Sequence, residues 1–118
     1  MVQVMKGRFS MKFEEEKNVI TIFLEGEVNA QNTAELQKEI DDIIAAHPGA
    51  EVIFDADKLS FISSAGLRML LSTQKKLGNK KLTVRNASKE VYDIFDITKF
   101  TDLMNIEKKL REISVEGA

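Results

Sequence analysis

The sequence predicts an α/β fold: a mixed β-sheet, opened by an antiparallel hairpin and continued by parallel strands, covered by about four helices. Three observations carry this expectation. Apolar residues alternate with polar ones near the N-terminus, strand-like and helix-like periods alternate from there to residue 106, and short polar or Gly/Pro stretches punctuate them.

Phe9, Met11 and Phe13 alternate with Ser10, Lys12 and Glu14, the period of a strand with one wet face. Residues 15–18 are polar and turn-like, and the almost unbroken apolar run 19–24 reads as a more deeply buried strand. Residues 9–24 are therefore expected as a hairpin, with Gly26 ending its second strand. The polar stretch 29–33 offers several caps ahead of Leu36, Ile40, Ile43 and Ile44, which recur at helical spacing until Pro48-Gly49. Val52, Ile53 and Phe54 read as a short buried strand running into a solvated loop, Asp55-Ala56-Asp57-Lys58. A strand after a helix implies a parallel crossover.

A second helix, 66–77, turns Leu67, Leu70, Leu71 and Leu77 inward and Arg68, Gln74, Lys75 and Lys76 outward, and Gly78-Asn79 stops it. Leu82-Thr83-Val84 is a fourth strand, and Ser88 caps a third helix whose apolar side is Val91, Ile94 and Phe95. Ile97 and Phe100 are expected as core anchors in a turn, residues 103–106 as a short edge strand, and residues 107–118 as a terminal helix and tail. No repeat, linker or low-complexity stretch interrupts this order, so residues 1–118 are expected as a single domain with a core over about 8–106.

Composition narrows the function. With 118 residues, 43% of them hydrophobic, the chain is long enough to bury a core without covalent staples. Its 17 basic and 19 acidic residues leave a net charge of -2, so neither direct nucleic-acid binding nor membrane insertion is expected. Absent cysteine excludes disulfides, thiolate metal sites and a thiol nucleophile. The one histidine, His47, precedes Pro48-Gly49, where an exposed helix C-terminus is its plain role. Without a Gly-rich phosphate loop either, no catalytic residue, no metal and no cofactor is expected. No apolar run approaches the ~18 residues of a membrane span, and the N-terminus lacks the pattern of a secretory signal, so the cytoplasm is the expected location. Lys75, Lys76, Lys80 and Lys81 cluster around the Gly78-Asn79 turn with no interleaved aromatic and read as solvated surface.

The stretch that bears on function is Leu59-Ser60-Phe61-Ile62-Ser63-Ser64-Ala65-Gly66-Leu67. Two serines stand at the entrance of an amphipathic helix, where the first N–H groups lack intrahelical partners, and either can be the cap. The same position suits a phosphoryl group: on Ser64 it would set about -1.5 to -2 charges at the positive end of a helix.

Over roughly residues 8–106 the chain resembles the STAS family of bacterial anti-sigma-factor antagonists, in which a short strand, a Leu-Ser-Phe-Ile/Met segment, a serine and a Gly-Leu pair precede a leucine-rich helix. Ser64 matches the family's phosphoacceptor, with Ser63 as the alternative, and Gly66 and Leu67 match directly. Ser63 stands where the family usually has Asp, and Ala65 where it often has Ser or Thr. Glu25-Gly26-Glu27-Val28-Asn29 resembles the family's Gly-Glu-Leu-Asp element, with Asn29 in place of the acid. Residues 91–95 followed by Ile97-Thr98-Lys99-Phe100 resemble its later helix and hydrophobic turn. The resemblance implies a STAS-like fold and a non-enzymatic switch, a monomer or weak dimer, that binds an anti-sigma factor which is also a serine-protein kinase. The expected partner-binding residues are Asn29, Ser63, Ala65, Gly66, Leu67 and Arg68.

Other readings compete. Val52-Ile53-Phe54-Asp55-Ala56-Asp57 resembles the nucleophile motif of haloacid-dehalogenase-type phosphatases, with Asp55 as nucleophile, Asp57 as acid/base and a Mg²⁺ ion, but such enzymes spread further ligands over a longer chain. A receiver domain would need a parallel strand and helix where the hairpin stands. The non-enzymatic alternative is an accessory STAS docking domain of a larger signalling protein or a lipid-transport complex.

Overall fold

In the computed structural model, residues 2–5 and 11–110 are described. The strands are β1 (Val2–Met5), β2 (Met11–Glu16), β3 (Val19–Val28), β4 (Glu51–Ile62), β5 (Thr83–Ala87) and β6 (Asn105–Lys108). The helices among the described residues are α1 (Thr33–Ala46), α2 (Ser64–Leu77) and α3 (Lys89–Ile97), with one 3-10 turn at Phe100–Asp102. All six strands join one sheet in chain order, β1-β2-β3-β4-β5-β6. The first two pairings are antiparallel and the remaining three parallel.

Local chemistry explains the connections. Lys17 and Asn18 take φ of 52° and 65°, the two-residue turn whose twist matches that of the strands it joins. Each later strand is reached through a helix, and because crossovers are right-handed and the strand order is consecutive, α1, α2 and α3 fall on one face of the sheet. That face carries Ile20, Ile22, Leu24, Val52, Phe54, Ala56, Leu82 and Val84 against Ile40, Ile43, Leu67, Leu70, Val91 and Phe95. Adjacent side chains on a strand point to opposite faces, so Thr21, Phe23, Ile53, Asp55 and Arg85 share the other one.

The hairpin over residues 11–24, the mixed sheet and the Ser88 cap are as expected, with Ser88 Oγ accepting from Val91 N at 3.2 Å, while Phe9 and Ser10 lie outside the described residues and Glu15 and Glu16 belong to β2 rather than to the turn. Five further details differ. The strand β1 adds to the antiparallel side of the sheet. Gly26 does not end β3; at φ 73° it sits where the β3–β4 register shifts, a bulge that lets the strand run on to Val28. Strand β4 is not short: it passes through Asp55 and Asp57 to Ile62, so the expected solvated loop is strand, with Asp55 buried. Ile97 is 77% exposed because it lies off the Val91–Phe95 stripe, and Met104 fills the core instead. Residues 107 and 108 continue β6 rather than starting a helix, and residues 111–118 of the expected fourth helix and tail lie outside the described residues.

Candidate functional site

The site forms where β3 and β4 outrun their outer neighbours. Strand β5 pairs with β4 only from Ile53 to Asp55, and β2 pairs with β3 only as far as Ile22, whereas β3 and β4 stay paired to Val28 and Ile62. At their ends Ser63 N donates to Val28 O at 2.9 Å, which fixes the turn into α2. Ser63 is extended, at φ -88° and ψ 176°, and its Oγ accepts from Gly66 N at 3.3 Å, so Ser63 is the N-cap. Its carbonyl accepts from Leu67 N at 2.9 Å. Ser64 is left as the first helical residue with an exposed side chain.

The small residue at position 66 is a packing requirement. A Cβ there would lie 2.5 Å from Ile62 Cγ1 and 2.9 Å from Val28 Cγ1, both on buried side chains at the ends of β4 and β3. The helix can press onto these strands only with glycine at this point, and that contact sets where Ser64 emerges.

On the β3 side, Asn29 N donates to Asn32 Oδ1 at 2.9 Å, Gln31 N donates to Asn29 Oδ1 at 3.0 Å, and Asn32 Nδ2 donates to Glu27 O at 2.8 Å. The capping side chains expected for α1 thus tie the preceding turn together, and Asn32 makes no side-chain cap bond. Asn29 and Ser63, which replace the acids of the STAS pattern, perform hydrogen-bond tasks a carboxylate would also perform. They keep the geometry and remove the charge.

The expected partner-binding residues divide. Ser64 and Arg68 are exposed; Asn29, Ser63 and Ala65 are half-buried; Gly66 and Leu67 face the core and so position the surface without forming it. Sequence reasoning missed Phe61, which is 46% exposed and lies opposite the exposed Glu27 in the β3–β4 register. Neighbouring Phe61 and Ile62 on one strand cannot both point inward, a rule that marks one of the two as exposed without saying which.

The Asp55 and Asp57 pair serves a different purpose. Asp55 Oδ2 accepts from Arg85 Nε at 2.9 Å and Asn86 Nδ2 at 3.1 Å, while Oδ1 accepts from Asp57 N at 2.9 Å. Its side chain is 6% exposed, so neither oxygen is presented as a nucleophile. Asp57 pairs with Lys109 Nζ at 3.2 Å. A cavity of about 450 Å³ beside them is lined by Lys12, Glu14, Phe23, Glu25, Asp57 and Lys58. Among the described residues, no group of three or more His, Asp or Glu side chains is placed to hold a metal ion, and no helix is long and apolar enough to cross a membrane. In the lysine cluster Lys76 pairs with Asp41 at 2.6 Å and Lys80 Nζ donates to Gly49 O.

The fold has close counterparts among solved structures. A Thermotoga maritima protein assigned as an anti-sigma factor antagonist superposes with a TM-score of 0.75 at 14% identity, over 88% of this chain and 91% of its own. An anti-sigma factor antagonist from Mycobacterium paratuberculosis gives 0.74 at 18% identity, over 98% and 93%. The Bacillus cell fate determinant SpoIIAA in its phosphorylated form gives 0.63 at 19% identity, over 88% and 96%. At these identities the likeness establishes a shared fold. No curated protein sequence matches the chain. The family model of the STAS domain matches residues 10–113, nearly the whole sequence, and the chain belongs to the STAS domain family.

Proposed function

We propose that the chain is a partner-binding switch of the anti-sigma-factor-antagonist type, acting in the cytoplasm and controlled by phosphorylation of Ser64. The observation that carries this reading is the division of labour at the start of α2: Ser63 Oγ takes the cap bond, and the Ser64 hydroxyl is left exposed, with no hydrogen bond to any of the described residues. Support comes from the STAS fold and from neighbours described as anti-sigma factor antagonists, one of them in a phosphorylated form.

In this reading the partner is an anti-sigma factor that is also a serine kinase. Ser64 Oγ attacks the γ-phosphorus of the partner's ATP, a new O–P bond forms, ADP leaves, and the hydroxyl proton passes to a base of the partner. The domain itself supplies the acceptor and the docking surface around Phe61 and carries no chemistry of its own. Phosphate at a helix N-terminus costs the fold little, while the same charge in an interface must be desolvated or meet the partner's acids.

Binding to the anti-sigma factor of the same organism tests this. Ser64→Asp is expected to weaken the complex at least about tenfold while the protein stays folded, and Ser64→Ala to bind as the parent does. Kinase-dependent phosphate should map to Ser64. Equal binding by Ser64→Asp and parent would instead favour a constitutive docking module.

A further inference from the structure

Resting on the reading of Ser64 as a phosphoacceptor, we propose that Arg68 is the group that receives the phosphate. Phosphorylated Ser64 is held in cis by the guanidinium one turn along α2, so modification withdraws an arginine from the partner surface at the same time as it adds negative charge.

Ser64 is the first residue of α2 and Arg68 the fifth. Residues four apart on a helix share a face, with Cβ atoms about 5–6 Å from each other. Helical side chains lean toward the N-terminus, so Arg68 leans over the turn that begins at Ser64. Both side chains are exposed.

Arg68 is also unengaged. Arg85, Lys76, Lys89 and Lys109 each hold a carboxylate, whereas Arg68 makes no hydrogen bond or ion pair with any of the described residues. The reason lies in the sequence of its own helix: SAGLRMLLSTQKKL contains no Asp or Glu, so no acid three or four residues away can pair with it. Ser63 and Asn29 add none where the family pattern has acids. The planar fork of an arginine suits bidentate contact with phosphate oxygens. Of the first-turn N–H groups, Gly66 N and Leu67 N are used by Ser63, which leaves those of Ser64 and Ala65 to help orient the phosphate.

The test uses the full chain with phosphoserine installed at position 64 during synthesis, followed by phosphorus NMR across pH. A guanidinium beside the phosphate favours its dianion and holds the second pKa below the ordinary value of about 6. Arg68→Gln is expected to raise that pKa by about half a unit, a threefold change in proton affinity, with Arg68→Lys recovering part of the loss. The difference should shrink in high salt. An unchanged pKa in Arg68→Gln, with the unmodified variant melting as the parent does, would overturn the cis contact. No kinase enters this measurement, so failure to find Ser64 modified by a kinase would remove the phosphoacceptor reading and leave the Arg68 result standing.

Discussion

Helices α2 and α3 begin in the same way and continue differently. Each is capped by a serine whose Oγ accepts from the N–H three residues on, at 3.3 Å for Ser63 and 3.2 Å for Ser88. After Ser88 comes Glu90, an acid in the first turn that complements the helix dipole. After Ser63 come Ser64, Ala65 and Gly66, and the first turn carries no acid. One N-terminus is completed by its own sequence; the other is left electrostatically open at the surface. A cap alone therefore says little about function. The charge of the first turn separates a helix end that only holds the fold from one able to take up added negative charge.

The largest expected effect tests the packing that makes α2 special. In an ordinary helix Gly→Ala gains up to about 1 kcal/mol, but Gly66→Ala should lose about 1–3 kcal/mol by urea denaturation, because the new methyl meets Ile62 and Val28. Replacing either cap, Ser63→Ala or Ser88→Ala, should cost about 1 kcal/mol in both helices. A far larger loss at Ser63 would mean the two caps are not equivalent. The smallest and sharpest contrast lies in charge: Glu90→Gln should lose about 0.3–1 kcal/mol, while Ser64→Asp should gain a similar amount, and both effects should fade in high salt. If Ser64→Asp destabilised the protein, the N-terminus of α2 would not be open.

Much of the fold was readable from periodicity. The hairpin, the leucine-rich helix and the serine at the start of α3 follow from local spacing and capping chemistry, although the turn expected over 15–18 is confined to Lys17-Asn18. The extent of β4 was not, because Asp55 belongs in a strand only when Arg85 and Asn86, thirty residues away, supply its partners. A carboxylate without visible partners reads as loop. Within the site, the serines and Gly66 were legible, but the exposure of Phe61 depends on which of two adjacent apolar residues the bulged strand turns outward, and composition does not decide that. Asn29 and Ser63 looked like losses from the family pattern; the hydrogen bonds show that they preserve the turn and the cap.

The chain-order arrangement of the sheet bears on how the protein is made. Every strand lies beside its predecessor in sequence, so a nascent chain never has to insert a strand between two already paired. Each new crossover carries a helix and closes onto a finished edge, so the entropic cost of assembly is met one connection at a time. The β3–β4–α2 unit bearing Ser64 is complete in sequence by Leu77, before β5, α3 and β6 are synthesised. We therefore expect protection from protease in ribosome-stalled chains to spread from β3 and β4 outward, whereas protection appearing all at once with β6 would show that the sheet condenses as a whole.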